Sequence, residues 1–101
     1  MTLKFAYRFI KQERTSAEAS PNIHMFFGLY DPTNRHFEPF PPANCLCGQR
    51  PYASNSTCDL LAVGNNKQEA QANARLMAAE LQNRGEEVCG QCVATLYSDG
   101  I

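Results

Sequence analysis

The sequence predicts an α+β fold: a single domain, one main helix packed on a mostly antiparallel sheet of four to five strands. Three observations carry this expectation. A self-capping amphipathic segment runs from Asn66 to Gly85, several short apolar runs alternate with period two, and a strong turn joins two of those runs. A chain of 101 residues fits one core, so residues 1–101 are expected to form one domain without separate lobes.

The first strand is read from Leu3, Phe5, Tyr7 and Phe9 alternating with Lys4, Ala6, Arg8 and Ile10, the pattern of a strand with one buried face. Residues 12–22, QERTSAEASPN, are polar and small and are expected to form a flexible loop. Ile23, Met25, Phe27 and Leu29 make a second apolar row, with His24, Phe26, Gly28 and Tyr30 on the other face. Asp31-Pro32-Thr33-Asn34 follows as turn chemistry, so a hairpin is expected with a return arm from Arg35 to Phe40. That arm ends in Pro39, Pro41 and Pro42, which cannot donate to a ladder and belong at an edge or outside the sheet.

Residues 41–57 read as a long irregular loop, which in a compact domain carries function or is tied down. Cys58 to Val63 reads as a central strand that feeds the helix. In the helix, Asn66 is placed to cap and Glu69 to close a capping box, while Gly85 supplies the left-handed residue that ends it. Ala70, Ala74, Met77 and Leu81 fall on one stripe, with Gln68, Gln71, Arg75 and Gln82 opposite. Val88 to Tyr97 then reads as a last strand, with Val88, Ala94 and Leu96 on one parity and Val93, Thr95 and Tyr97 on the other.

The helical segment NKQEAQANARLMAAELQNRG resembles the alanine-rich ANARL-type helix of small proteins encoded by tailed phages and prophages. The resemblance covers about a fifth of the chain and implies a phage-encoded accessory protein of the host bacterial cytoplasm. The expected function is to bind and inhibit a host protein, most sharply a bacterial defence component such as a CRISPR effector or a host nuclease. The alternative is a small zinc-stabilised module that regulates or recognises nucleic acid.

Charge and composition narrow the classes. Nine basic against ten acidic residues give a formal charge of −1, which removes the usual electrostatic reason for binding nucleic acid directly and equally denies an acidic DNA mimic. The start, MTLKFAYRFIK, alternates apolar with basic residues instead of forming a signal-peptide core, and no later run approaches the ~20 apolar residues of a membrane span. A soluble, cytosolic protein is expected. An exposed edge strand would allow a homodimer.

Five cysteines without a secretion signal point to reduced thiols or a metal more than to a disulfide scaffold. Cys45-Leu46-Cys47 and Cys89-Gly90-Gln91-Cys92 offer four thiolates in two short-range pairs, each able to form one edge of a zinc tetrahedron. Three readings stay open: one structural zinc on Cys45, Cys47, Cys89 and Cys92; one or more disulfides; or unpaired thiols packed as small hydrophobes, the plainest of the three. Redox chemistry by CGQC needs the first cysteine at a helix N-terminus, and the expected strand there argues against it.

No catalytic signature accompanies these residues, and a non-enzyme is expected. His24 lies on the less apolar face of its strand, His36 begins the return arm, and neither has a serine elbow or paired carboxylate beside it. Cys58 sits in an apolar strand that would blunt it as a nucleophile. The aromatic residues outnumber what so small a core can hold. Tyr30, Arg35, His36, Phe37, Phe40, Arg50 and Tyr52 are therefore the candidate partner-binding residues, set against a second small core beneath the proline-rich loop.

Overall fold

A computed structural model describes residues 3–11, 23–48, 51–52 and 58–98, and the expected loop 12–22, Arg50 and most of residues 49–57 lie outside them. The elements run β1 (Lys4–Lys11), β2 (Ile23–Asp31), β3 (His36–Pro39), β4 (Cys58–Gly64), α1 (Lys67–Asn83) and α2 (Gly90–Ser98). The strands form one antiparallel four-stranded sheet in the order β3-β2-β1-β4, with the main helix packed on it, a single α+β domain.

Register fixes what each face carries. Phe5, Tyr7 and Phe9 stand opposite Leu29, Phe27 and Met25, and on the other side opposite Gly64, Ala62 and Leu60. Directly opposed residues share a face. This face lies under α1: Lys67 stands over the Phe27 ring, and a Cβ on Gly64 would fall 2.3 Å from the Ala70 amide nitrogen. The second face carries Ala6, Arg8, Ile10, His24, Phe26 and Phe37, and the proline-rich loop folds across it. Tyr52 of that loop packs edge-on to Phe26 at 5.5 Å and against Phe37 at 5.8 Å, and its hydroxyl accepts from the Arg8 guanidinium.

β1 is therefore the central strand, and β4, expected there, is an edge. The reason is visible in burial: Ala6, Tyr7, Phe9 and Ile10 are buried on both faces of β1, whereas Leu60, Leu61 and Val63 of β4 stay half-buried. A one-sided apolar run such as CDLLAV has the composition of a central strand without the cover.

The Asn66 cap and the Gly85 stop form as read, while Glu69 closes one residue further back than a capping box does. The Asn66 side chain accepts from the Glu69 amide at 2.8 Å, the Glu69 carboxylate accepts from the Asn65 amide, and Gly85 takes φ 86° past the C-terminal end. One assignment on α1 is corrected. Gln71, expected on the wet side, is buried and donates to the Leu96 carbonyl at 3.0 Å.

That bond exists because the expected last strand is a helix. Only Val88 keeps strand-like pairing, a single parallel bridge to Ile23, and Gly90–Ser98 is α2. Val93, Thr95 and Tyr97 favour strands by type, which is why the segment read as one. The buried pair, however, is Cys92 and Leu96, spaced one helical turn apart. The last carbonyls of α2, which no helix can satisfy internally, accept from Gln71 and Arg75 of α1. Tertiary partners absent from the local sequence thus decided between strand and helix.

Candidate metal centre

β2 ends its pairing with β3 at Gly28, which leaves the edge of its first half open. Three separate segments fill it. The Phe40 amide donates to the Phe27 carbonyl at 3.0 Å, the Leu46 amide to the Met25 carbonyl at 2.8 Å, and the Cys89 amide to the Ile23 carbonyl at 2.8 Å. These backbone bonds draw the cysteine loop and the start of α2 against the strand that carries His24.

The loop turns at Cys45-Leu46-Cys47-Gly48, closed by the Gly48 amide on the Cys45 carbonyl at 2.8 Å, with Gly48 at φ 79°. Glycine is needed there because an L side chain is strained in the left-handed region. α2 begins one residue after Cys89, whose carbonyl accepts from the Val93 amide at 3.0 Å, and places Cys92 in its first turn.

The result is a cluster of His24 Nδ1 and the sulfurs of Cys45, Cys47 and Cys92, all within 4.8 Å of one another. Zinc bonds of ~2.3 Å to sulfur and ~2.0 Å to nitrogen imply edges of about 3.8 Å between sulfurs and about 3.6 Å between sulfur and nitrogen in a tetrahedron. The observed Cys92–His24 separation is 3.6 Å and Cys47–His24 is 3.8 Å; Cys45–Cys47 is tighter at 3.2 Å. Two of these separations match tetrahedral edges and the third is short of one, within a cluster whose donors all lie within 4.8 Å of one another. The cluster could hold one structural metal ion.

A bare thiolate is disfavoured at Cys92, so a metal ion bound there would displace a tightly held proton. Burial pushes the Cys92 thiol well above its ordinary value, and the neighbouring Cys45 and Cys89 sulfurs push the same way. The backbone amides of Met25 and Cys47 oppose this by donating to the sulfur. Amide donors aimed at a buried sulfur are the outer support that metal thiolates use.

Of the four cysteines named from sequence, the structure puts Cys45, Cys47 and Cys92 in this cluster. Cys89 stands beside it, its sulfur 3.8 Å from that of Cys47. His24 enters instead. Its signal in the sequence was its place within an apolar strand, where a histidine 1% exposed needs polar partners. The placement of CGQC is also corrected: it opens α2 and does not enter a strand, so Cys89 occupies the helix cap.

The aromatic candidates divide. Phe37 is buried and Tyr52 half-buried against Phe26, so these build the small core beneath the loop. Tyr30 is half-buried, Arg35 and His36 are exposed, and Phe40 reaches the surface at 36% exposure while its ring packs tilted against Phe27 at 5.0 Å. Arg8, Tyr30, Arg35, Phe37 and Leu61 line a shallow cleft of about 230 Å³. No helix among the described residues is long and apolar enough to cross a membrane.

Compared with known proteins, the chain matches no family model, no curated protein and no solved structure.

Proposed function

We propose that this chain is a small metal-stabilised module that works by binding a protein partner and performs no catalysis. The carrying observation is the closed character of the His24/Cys45/Cys47/Cys92 cluster. Its donors come from a strand, a loop and a helix, and three of the four are almost fully buried, with Cys45 the most accessible of those at 4%. Catalytic zinc keeps a position open for water or substrate, whereas four protein donors fill a structural site. Zinc suits three thiolates and one imidazole best.

The ion would hold the proline-rich loop against the sheet and so fix the surface beside it. On the loop's face of the sheet Tyr30 and Arg35 line a cleft with Arg8, the aromatic and arginine chemistry that anchors protein interfaces, while Phe40 is exposed on the α1 face against Phe27. The resemblance of α1 to phage-encoded helices implies a phage origin, and small size, a single domain and the lack of a catalytic signature in the sequence then make a host bacterial protein, a defence component first, the partner class for this surface. A second copy is the other partner to examine, through the β4 edge.

The test is capture of host proteins on zinc-loaded wild type and on the Phe40→Ala and Tyr30→Ala variants. A specific partner lost in either variant, with the melting temperature kept, supports the reading. Salt-dependent binding to DNA or RNA would favour nucleic-acid recognition instead.

A further inference from the structure

We propose that Cys47 and Cys89 form a peroxide-sensitive disulfide site that competes with the metal for Cys47, an inference that rests on the metal-centre reading above. Cys89 is a thiol outside the four-donor cluster whose sulfur nevertheless lies 3.8 Å from one of its ligands. Its backbone is pinned on both sides: the amide donates to Ile23 and the carbonyl caps α2. The Cys89 main chain is thereby held beside Cys47.

Cys47 is the half-buried member of the cluster, while Cys45, Cys89 and Cys92 are buried, so a small oxidant reaches Cys47 first. The chemistry balances with hydrogen peroxide. The Cys47 sulfur attacks one peroxide oxygen, the O–O bond breaks, and the departing hydroxide takes a proton to leave as water. The Cys89 sulfur then attacks the Cys47 sulfur, the S–S bond forms, and the S–OH bond breaks with loss of a second water. Two thiols are oxidised by two electrons and one peroxide is reduced to two waters.

A disulfide needs its sulfurs ~2.0 Å apart, so Cys47 must swing toward Cys89. Once joined to Cys89, the Cys47 sulfur is no longer a thiolate and no longer serves as a donor beside Cys45 and His24, which lie 3.2 and 3.8 Å from it. With one donor withdrawn the ion is released, and the loop loses the tie that orders its surface. Partner binding through that surface would then fall under oxidation.

The experiment treats the full zinc-loaded chain with hydrogen peroxide and follows zinc by a chromogenic chelator, intact mass, and peptide mapping of the linkage. The expected result is release of one zinc, a mass lower by two hydrogen atoms than the reduced metal-free chain, a Cys47–Cys89 bond, and rebinding after thiol reduction. Cys89→Ser should still bind one zinc and, at the same peroxide, should release it at least tenfold more slowly, because serine keeps the helix cap but cannot close the bond. A Cys45–Cys47 linkage, or zinc release equally fast in Cys89→Ser, would overturn the proposal. So would loss of zinc stoichiometry in Cys89→Ser with the far-ultraviolet circular dichroism unchanged, which would make Cys89 a ligand. Mapping the wild type needs no variant. If the wild type binds no zinc, the metal reading fails on its own, and a Cys47–Cys89 bond in the oxidised metal-free chain would still support the pairing.

Discussion

Replacing Cys92 by alanine separates what the side chain contributes by packing from what it contributes through an ion. The residue is fully buried, with its sulfur 3.6 Å from His24 Nδ1, and lies outside every exposed surface a partner would use. Packing alone is modest: deleting one buried sulfur resembles deleting a methylene, about 1 kcal/mol once the small cavity is included. In a domain of this size that is a fall of roughly 4–8 °C in melting temperature. The ion adds more. A ligand at a hundredfold excess over its dissociation constant stabilises by about 2.7 kcal/mol, or roughly 10–20 °C. Thermal unfolding of wild type and Cys92→Ala, each with zinc and with excess chelator, resolves the two contributions. Chelator should lower the wild-type midpoint by the larger amount and leave the variant unmoved, and the chelated pair should differ only by the smaller amount. A chelator shift of equal size in both proteins, or in neither, would refute the reasoning.

Other outcomes follow from the same structure. Zinc uptake should release about three protons per ion near neutral pH, because burial holds the Cys92 thiol protonated and its companions must also ionise; affinity should therefore fall as pH is lowered, which titration in a weakly buffered indicator checks. Gly28→Ala should destabilise by about 3 kcal/mol, the upper end for overpacking, since its Cβ would meet the Glu38 carbonyl oxygen at 2.1 Å and backbone cannot give way; urea unfolding measures it. Asn66→Ala should cost about 1 kcal/mol by removing the cap on the Glu69 amide, with Asn66→Ser restoring most of it in the same assay.

What the sequence disclosed followed the range of the forces involved. The β1 and β2 strands, the Asp31–Asn34 turn and the Asn66 cap are local, set by residues within a few positions, and each formed where it was read; the single buried face expected for β1 did not, because Ala6 and Ile10 are covered as fully as Tyr7 and Phe9. α2 was misread because its buried pair, Cys92 and Leu96, and the α1 donors to its last carbonyls matter only once the chain has folded back. Spacing singled out Cys45, Cys47 and Cys92 together with Cys89, which stands beside the cluster. His24 could be named as a candidate ligand by residue type but not joined to these cysteines, because Cys47 and Cys92 lie 23 and 68 residues away in the chain. Likewise, which aromatics would be covered depended on where the proline-rich loop crossed the sheet, and Tyr52 settled that for Phe26 and Phe37.

The most direct test of the metal centre is the zinc-edge X-ray absorption spectrum of the full chain purified without chelator. The account predicts a four-coordinate ion with three sulfurs at ~2.3 Å and one imidazole nitrogen at ~2.0 Å. A shell of four sulfurs would put Cys89 in the place given to His24, and the lack of a zinc edge from protein expressed with ample zinc would contradict the centre altogether.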